Sequence, residues 1–344
     1  MHTPASTSPP RRPSGERTAL VTGASRGLGL LVAEELGRRG HDLLICARDE
    51  RELARAAERL RATGVRVHAL ACDLADPGTA DTLVRAAREY AGGLDVLVNN
   101  AGMISVGPLD SLTEQDFREA MELMFHAPLR LTLAALPLLR ESRAGRIATI
   151  TSLGGRISPP HLLPYSCAKF AAVGFSEGLR AELAGSGVTV TTVVPGLMRT
   201  GSHLAAEFTG AAEREYAWFA AGAGLPGLSI DAGRAARAIV RAIEHGRAEL
   251  VLSPAAKAAV RLHGVAPATT TRLLGAMARL LPAAPEDARR RRAEAGGRRV
   301  PGAEAARRLD SRLLGRITAL ADRAAGRHNE PGGASGAAGA TGPA

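Results

Sequence analysis

Short apolar segments with strand character alternate with helical segments along most of this chain. Strands separated by helices of ten or more residues form βαβ units, which place successive strands parallel in one sheet. The pattern therefore predicts an α/β fold with a doubly wound parallel sheet. The segments with strand character are 18–22, 41–46, 66–71, 94–98, 146–151, 188–194 and 248–252.

A glycine-rich turn joins the first strand to a segment with helical spacing at 30–39. Glycines allow a tight turn and a close approach to a pyrophosphate, while a helix N-terminus offers N–H donors and a positive dipole end. An ordinary tight turn has similar glycine spacing, but the second strand ends at the distance that a dinucleotide site requires. The candidate cofactor-binding residues here are Gly23, Ser25, Arg26, Gly27, Leu28 and Gly29.

The end of the second strand favours NADP(H) over NAD(H). An NAD site commonly has an acidic residue at this point, bonded to the ribose hydroxyls, whereas an arginine accommodates a 2′-phosphate. Here Arg48 follows an apolar strand end, and Arg26 projects from the turn nearby. Arg48 is equally compatible with a solvated surface position, and Asp49 could bind the ribose instead.

The residues with the clearest chemistry all follow the ends of strands. Ligands of a parallel sheet bind beyond the carboxyl ends of its strands, so these residues are expected to converge on one crevice. Asp73 could bind an adenine amine or cap the helix after Pro77. The pair Asn99-Asn100 could brace loops through its amides or simply form a turn. The residues that follow strand ends are Gly23, Arg48, Asp73, Asn99 to Gly102, Ser152 and Pro195-Gly196.

Tyr165 and Lys169 are the main catalytic candidates. Lys occurs at only two positions, yet one of them lies four residues after one of the three tyrosines. On a helix these two positions share a face. A compact ammonium can lower the pKa of a phenol and still donate to a ligand. Together with Ser152 they predict a proton-transfer site for a carbonyl or an alcohol.

In this order and at this spacing, the motifs resemble the short-chain dehydrogenase/reductase family. The resemblance covers roughly residues 16–253. It implies a Rossmann-like domain with a seven-stranded sheet, hydride transfer between NADP(H) and an alcohol or carbonyl carbon, and a homodimer or homotetramer. The matching motifs are Thr22 to Gly29, Asp73-Leu74, Asn99 to Gly102, Ser152, Tyr165 with Lys169, and Pro195-Gly196 with Thr200.

The resemblance also implies a role for each residue. Tyr165 would be the general acid for reduction and the base for oxidation. Lys169 would lower the pKa of that tyrosine and hold the nicotinamide ribose, and Ser152 would orient the substrate oxygen. Residues 99–102 would border the adenosine ribose. The remaining cofactor-binding candidates are Asp73, Leu74, Asn100, Ala101, Gly102, Pro195, Gly196 and Thr200.

One position departs from the family pattern. Aligning residues 120–127 on the helix before the fifth strand puts Met124 where the family has an Asn that helps hold a water near the lysine. Met cannot hydrogen-bond like an amide, although its backbone carbonyl could still hold the water. His126 faces elsewhere on a helix. The departure keeps a second interpretation open, a nucleotide-sensing binding protein with weak or no turnover.

Composition excludes several other classes. Net charge is +10, but the first 17 residues contribute +2 and residues 284–344 contribute +5, so specific nucleic-acid binding is not expected. The three cysteines have neither metal nor disulfide-framework spacing, and Cys167 is expected to be a small buried filler. No run of eighteen apolar residues occurs. A cytoplasmic enzyme without a metal is expected.

The chain is expected to divide into four parts. They are a disordered arm at 1–15, the main domain at 16–255, a helical extension at 256–283, and a basic, mostly disordered tail at 284–344 with a helix near 303–325. The apolar face of Leu273 and Met277 could be a lid, an oligomer contact or a membrane-surface helix, or could pack on its own domain. Arg289 to Arg292 is expected to be solvated.

The segments expected to contact the substrate are 103–109, 153–164 and 196–226, and they are mostly apolar. They predict a lipophilic ketone, aldehyde or alcohol substrate. A lid over the cofactor would explain the same composition, and Arg156 or Arg199 could bind an anionic substrate instead.

Overall fold

The computed structural model describes residues 17–224, 229–294, 299–309, 318 and 322–329. The predicted arm at 1–15 and residues 330–344 lie outside this part of the chain. The strands are β1 Arg17–Thr22, β2 His41–Ala47, β3 Val67–Ala71, β4 Val96–Asn99, β5 Ser105–Val106, β6 Arg146–Ile150, β7 Thr189–Val194, β8 Met198–Arg199, β9 Glu207–Phe208, β10 Ile230–Asp231, β11 Glu249–Val251 and β12 Val300–Pro301.

Helices follow most of these strands, and several of them begin within a residue or two of a proline or a capping side chain. The Asp49 carboxylate accepts the N–H of Glu52, and Asp231 caps Arg234 in the same way. The helices are α1 Gly27–Arg38, α2 Glu50–Arg61, α3 Thr79–Ala91, α4 Glu114–Met121, α5 Ala127–Glu141, α6 Leu163–Glu182, α7 Ser202–Ala205, α8 Ala212–Gly224, α9 Ala232–Glu244, α10 Pro254–Val265, α11 Pro267–Ala278, α12 Ala288–Glu294 and α13 Gly302–Leu309.

Seven strands form one parallel sheet in the order β11-β7-β6-β4-β1-β2-β3. The register places Thr22 beside Cys46 on one side of β1, and Val21 beside Val98 on the other. The strand order therefore reverses between β1 and β4, where a ligand crevice opens in folds of this kind. The predicted doubly wound, Rossmann-like sheet is confirmed, with strand ends shifted by one or two residues.

Two apolar cores cover the two faces of the sheet. On one face, buried side chains of α1, α2 and α9 pack against β1 and β2, with Leu36 and Ile239 fully buried. On the other face, α3 and α5 supply Leu83, Leu131 and Leu139. Burial of such a side chain contributes roughly 1.5–3 kcal/mol, so the two layers hold the strand ends in place.

Among the described residues, one helical stretch, Glu114–Glu141, passes the length and composition test for crossing a membrane, with a mean hydropathy of 1.2. It contains α4 and α5, and 39% of the apolar window is buried in the structure. The buried leucines of α5 pack against the sheet.

A smaller lobe lies beyond the sheet and is built partly from the C-terminal chain. β5, β9 and β12 form a three-stranded sheet, and α13 packs against α8. The N–H of Gly302 donates to the carbonyl of Ala206 at 2.7 Å. Residues 288–294 and 299–309 therefore fold onto the main domain, where a mostly disordered tail was expected, and α13 lies where the expected helix near 303–325 begins.

Buried ion pairs fasten this C-terminal chain to α4. Asp116 is fully buried and accepts hydrogen bonds from Arg292 and Arg299, both of which are nearly buried. These two arginines hold the pKa of Asp116 well below its usual range, against the opposing effect of burial. Arg299 also pairs with Glu119 and Glu207. The predicted solvated charge run thus contains a buried member, Arg292, because an ion pair compensates its charge.

The predicted helical extension forms α10 and α11, which pack on each other. Leu273 and Met277 are 56% and 57% exposed, so this face does not pack on the domain as one interpretation expected. Leu313, Ile317 and Leu320 of the second expected helix lie outside the described residues. Cys167 is exposed on α6, which corrects its expected burial; α6 turns that position to solvent.

Glycine is required at position 29. A Cβ there would lie 2.2 Å from the carbonyl oxygen of Gly23 and 2.4 Å from Nδ2 of Asn100, distances at which atoms must move. Gly23 itself has φ +63°, a left-handed conformation that disfavours other residues. Because α1 approaches the turn after β1 so closely, no side chain fits at position 29.

We expect Gly29→Ala to lower the free energy of unfolding by about 1–3 kcal/mol, because the added methyl group must displace backbone. Gly178→Ala is the matched control, since a Cβ at that exposed helical position would meet no atom within 4 Å. The control should instead stabilise the protein by roughly 0.5–1 kcal/mol. Urea unfolding followed by circular dichroism measures both changes, and equal effects would contradict the packing argument.

Candidate active site

Ser152, Tyr165 and Lys169 lie together at the carboxyl end of β6. Ser152 follows the strand, and Tyr165 and Lys169 occupy one face of α6. The Ser152 hydroxyl lies close enough to the Tyr165 phenol to lower its pKa, and Nζ of Lys169 lies 5.8 Å from the centroid of the tyrosine ring. The three predicted side chains therefore share one site.

Local backbone holds these groups in place. The Ser152 Oγ accepts the N–H of Gly154 at 3.0 Å, which begins a short 3-10 turn at Leu153–Gly155. A Cβ on Gly154 would lie 2.9 Å from Cε1 of Tyr165, so glycine makes room for the ring. Nζ of Lys169 donates to the carbonyl of Ile150 on β6 at 2.8 Å.

Burial controls the protonation of this pair. Burial raises the pKa of Tyr165, and the hydrogen bond with Ser152 partly opposes that rise. Burial lowers the pKa of Lys169 to about 8. The expected lowering of the phenol pKa by Lys169 is not seen in this arrangement, in which desolvation is the largest effect on both groups. The phenol is thus a protonated donor at neutral pH.

Met124 lies where the sequence alignment placed it, beside the lysine. A Cβ built on Gly102 would lie 3.5 Å from Sδ of Met124 and 3.6 Å from Nζ of Lys169. Both side chains therefore lie beside Gly102. The helix around it, Glu122–His126, widens to a π-turn in which the N–H of Ala127 donates to the carbonyl of Glu122. Such π-turns are frequent at functional sites. His126 is exposed, as its helical position predicted.

The carboxyl ends of β1 and β4 are joined by hydrogen bonds. The Thr22 hydroxyl accepts the N–H groups of Asn100 and Ala101, and the Asn100 amide donates to the carbonyls of Thr22 and Gly23. Asn99 donates to Thr132. The asparagines therefore brace the strand ends, one of the two roles that the sequence allowed.

The two arginines considered for a 2′-phosphate differ in their surroundings. Arg26 pairs with Glu52 at 3.1 Å, an interaction that the sequence did not suggest. Arg48 is exposed after β2, with no hydrogen bond or ion pair among the described residues. Arg48 is thus the guanidinium available to an anion at this edge of the crevice.

The other predicted cofactor residues lie along the same edge of the sheet. Oδ1 of Asp73 accepts the N–H of Ala75, so it caps a local turn rather than α3. The side chain of Leu28 is buried in the core, which leaves only its backbone for a ligand. Thr200 is buried and accepts the N–H of Ser202. The carbonyl of Pro195 accepts the N–H of Leu153 at 2.7 Å, which ties the β7 end to Ser152.

Sequence reasoning missed the contacts of the C-terminal residues with the glycine-rich turn. The carbonyl of His328 accepts the N–H of Gly27 at 2.9 Å, and the Asn329 amide donates to the carbonyl of Ser25 at 2.7 Å. Asn329 has φ +60°, which asparagine tolerates well. Only the rarity of Asn in this chain could have drawn attention to position 329.

The described residues contain no cluster of three or more His, Cys, Asp or Glu side chains that could hold a metal ion. The site brings together a hydroxyl, a phenol and an ammonium at the edge of the sheet where the glycine-rich turn lies. Such a set can move a proton to or from a substrate oxygen.

Comparison with known proteins agrees with this chemistry. The short chain dehydrogenase family model matches residues 17–207. The chain belongs to the short-chain dehydrogenase family and is an oxidoreductase that acts on the alcohol–ketone couple. The predicted family resemblance is confirmed.

Among the curated relatives is a putative ketoacyl reductase of Streptomyces coelicolor, 38% identical over 184 residues, or 53% of this chain and 70% of the relative. The Escherichia coli 3-oxoacyl-[acyl-carrier-protein] reductase FabG is 33% identical over 54% of this chain and 74% of its own. A structure of actinorhodin polyketide ketoreductase with NADPH has a TM-score of 0.63 and 31% identity, covering 71% of this chain and 98% of that chain.

The pKa of Lys169 predicts a pH dependence. The ammonium is lost as the pH rises through about 8, so we expect kcat/KM for the reduced cofactor to fall above that value. Lys169→Arg should lower activity overall but remove this alkaline limb, because a guanidinium stays charged. Initial rates measured from about pH 6 to pH 10 test the assignment. A profile that remains flat across the range in the wild type would disprove it.

Proposed function

We propose that this protein is an NADP(H)-dependent reductase that converts a lipophilic ketone to a secondary alcohol and can run in reverse. The observation that carries the proposal is the grouping of Ser152, Tyr165 and Lys169: the Ser152 hydroxyl and the Tyr165 ring both lie beside Gly154, and Nζ of Lys169 lies 5.8 Å from the centroid of that ring. Two related structures, the actinorhodin ketoreductase and an L-sorbose reductase of Gluconobacter frateurii, contain NADPH.

The residues along the crevice fit a phosphorylated dinucleotide. Gly23 and Gly29 leave no Cβ at the turn, and α1 directs its N-terminus there. Arg48 is exposed and has no ion-pair partner within the described part of the chain, so its guanidinium is proposed to bind a 2′-phosphate. Gly102 leaves open a space beside Lys169. When bound, the nicotinamide of this cofactor supplies or accepts the hydride.

The chain's own residues supply the proton and the orientation. Tyr165 is proposed to donate its phenolic proton to the substrate oxygen, since its raised pKa keeps it protonated at neutral pH. Ser152 donates a hydrogen bond to the same oxygen and stabilises the charge that develops on it. Lys169 holds a positive charge beside the phenol, which favours the tyrosinate formed after transfer. In alcohol oxidation the same groups act in reverse.

The substrate proposal rests on what surrounds the site. Arg156 pairs with Glu177 and Glu249, and Arg199 donates to Ser229, so neither is placed to bind an anionic substrate. The lobe over the site has an apolar core that includes Leu162 and Phe208, with Trp218 and Tyr165 packed against it. With ketoacyl reductases among the relatives, we propose a neutral, chain-bearing ketone such as a 3-oxoacyl ester or thioester.

Tyr165→Phe tests the proposed proton donor. We expect the wild-type protein to oxidise NADPH with apolar 3-oxo esters, and the variant to lose about 10²–10⁴ in kcat, because general acid catalysis contributes that much. NADPH affinity, measured by fluorescence titration, should be nearly unchanged in the variant. Tyr90→Phe, at a half-buried position on α3 outside the candidate site, is the matched control. Loss of the same size in both variants would contradict the assignment.

Arg48→Gln tests the cofactor. We expect its affinity for NADPH to fall about tenfold to a hundredfold, and its affinity for NADH to change little, because a hydrogen bond to a charged group contributes roughly 1.5–3 kcal/mol. Arg261→Gln on exposed α10 removes the same charge far from the crevice and should leave both affinities intact. Equal losses for the two cofactors in Arg48→Gln would argue against a 2′-phosphate contact.

Met124 favours one other candidate function, a nucleotide-sensing protein with little turnover. A thioether beside Lys169 cannot replace an amide as a hydrogen-bond partner for water. The complete set of Ser152, Tyr165 and Lys169 favours the reductase, because a sensor has less use for acid–base groups. Tight NADPH binding without turnover on any ketone would favour the sensor.

We also propose a cytoplasmic homodimer or homotetramer that associates through α5 and α6. Leu133 on α5 and Phe170 on α6 are 55% and 43% exposed, and apolar side chains of this size are commonly covered in an interface.

A further inference from the structure

His161 lies where the three expected substrate segments meet. Its own segment precedes α6, and its carbonyl accepts the N–H of Gly107, next to β5, at 2.8 Å. Its ring contacts α8, where Nδ1 lies 2.9 Å from Glu215 and the ring meets Trp218 edge-on at 6.3 Å. The proton-donor candidate Tyr165 follows one helical turn later. His161 is thus held by the segment next to β5 and by α8.

Glu215 is a fully buried carboxylate. Its described side-chain partners are the imidazole of His161 and the indole N–H of Trp218, which donates to Oε2 at 2.7 Å. A carboxylate in an apolar lobe is costly unless donors surround it. The interaction therefore fixes Nδ1 of His161 as the ring nitrogen that carries a proton toward Glu215.

The backbone at His161 adopts a conformation that needs support. Its φ is +64°, in the left-handed region that few residues other than glycine occupy. Such strained conformations cluster at active sites and ligand-binding sites. In this backbone conformation the imidazole of His161 lies against Glu215.

The other ring nitrogen, Nε2, is left without a hydrogen-bond partner in the described part of the chain. The His161 side chain keeps an exposed fraction of 12%, so the ring is enclosed but not sealed. A buried imidazole with one nitrogen anchored and the other open is an oriented hydrogen-bonding group. Neutral, Nε2 accepts from a hydroxyl; protonated, it donates to a carbonyl.

We propose that His161 is a specificity-determining residue, whose Nε2 hydrogen-bonds a second oxygen of the substrate, away from the carbonyl that is reduced. The preferred substrate is then a ketone with a further carbonyl or hydroxyl group, rather than a plain ketone. The inference rests on the proposed reductase function and extends it to the part of the substrate that does not react.

His161→Asn isolates Nε2. Asparagine tolerates a positive φ, and its short amide can keep the hydrogen bond to Glu215 at the position of Nδ1 while lacking Nε2. The assay compares three substrates of equal chain length with NADPH: a 3-oxo ester, a hydroxyketone and a plain ketone. Thermal unfolding and NADPH titration establish that the variant is folded and binds cofactor.

We expect kcat/KM of His161→Asn to fall about tenfold for the 3-oxo ester, the hydroxyketone or both, mainly through KM, since one uniform hydrogen bond is lost. The plain ketone should change less than about twofold. His263→Asn, the matched control, makes the same substitution on α10, where Nδ1 lies 2.7 Å from the Thr270 hydroxyl, so it should leave the substrate ratios unchanged. Equal changes for all three substrates in His161→Asn would overturn the proposal.

A binding measurement separates this inference from the proposed function. The ¹⁵N resonance of Nε2, assigned by its absence in His161→Asn, should shift when a 3-hydroxy ester is added to wild-type protein, and should not shift with a plain alcohol. A wild-type protein that turns over no ketone contradicts the reductase proposal. Resonances that respond equally to both ligands contradict the role of His161.

Discussion

The close approach of α1 to the ends of β1 and β4 is the constraint on which the site depends. Gly29 lies so near the Gly23 carbonyl and the Asn100 amide that no side chain fits between them. Asn100 and Thr22 then hydrogen-bond across the two strand ends. These two strands flank the point where the strand order reverses. The hydrogen bonds between their ends therefore fix the backbone at the base of the crevice, including Gly102 beside Lys169.

The C-terminal chain has a larger structural role than a basic tail. Arg292 and Arg299 converge on buried Asp116, and removing one partner of such a pair commonly costs about 3–5 kcal/mol. β12 adds a strand to β9, and α13 packs on α8, the helix that positions Glu215 against His161. The lobe over the active site thus depends on residues more than a hundred positions away in sequence from the catalytic set.

The strand–helix alternation, the glycine-rich turn and the Tyr165–Lys169 spacing were predictable because each depends on local periodicity or on backbone sterics. Arg292 was assigned to a solvated run because four adjacent arginines resemble an exposed charge cluster. Its burial depends on Asp116, a partner 176 residues away, which no local pattern reveals. Cys167 was expected to be buried because it lies in or beside a predicted core element, but the helix turns that position outward.

The sequence by itself determined the parallel sheet, the glycine-rich turn and the choice of Ser152, Tyr165 and Lys169 as candidates for proton transfer, since strand and helix periods and glycine sterics act over a few residues. Only the tertiary structure decided the protonation of Tyr165 and Lys169, because desolvation depends on everything packed around them. The pairs Arg26–Glu52 and His161–Glu215 were also visible only in the tertiary structure, because side chains from distant segments meet only after the chain has folded.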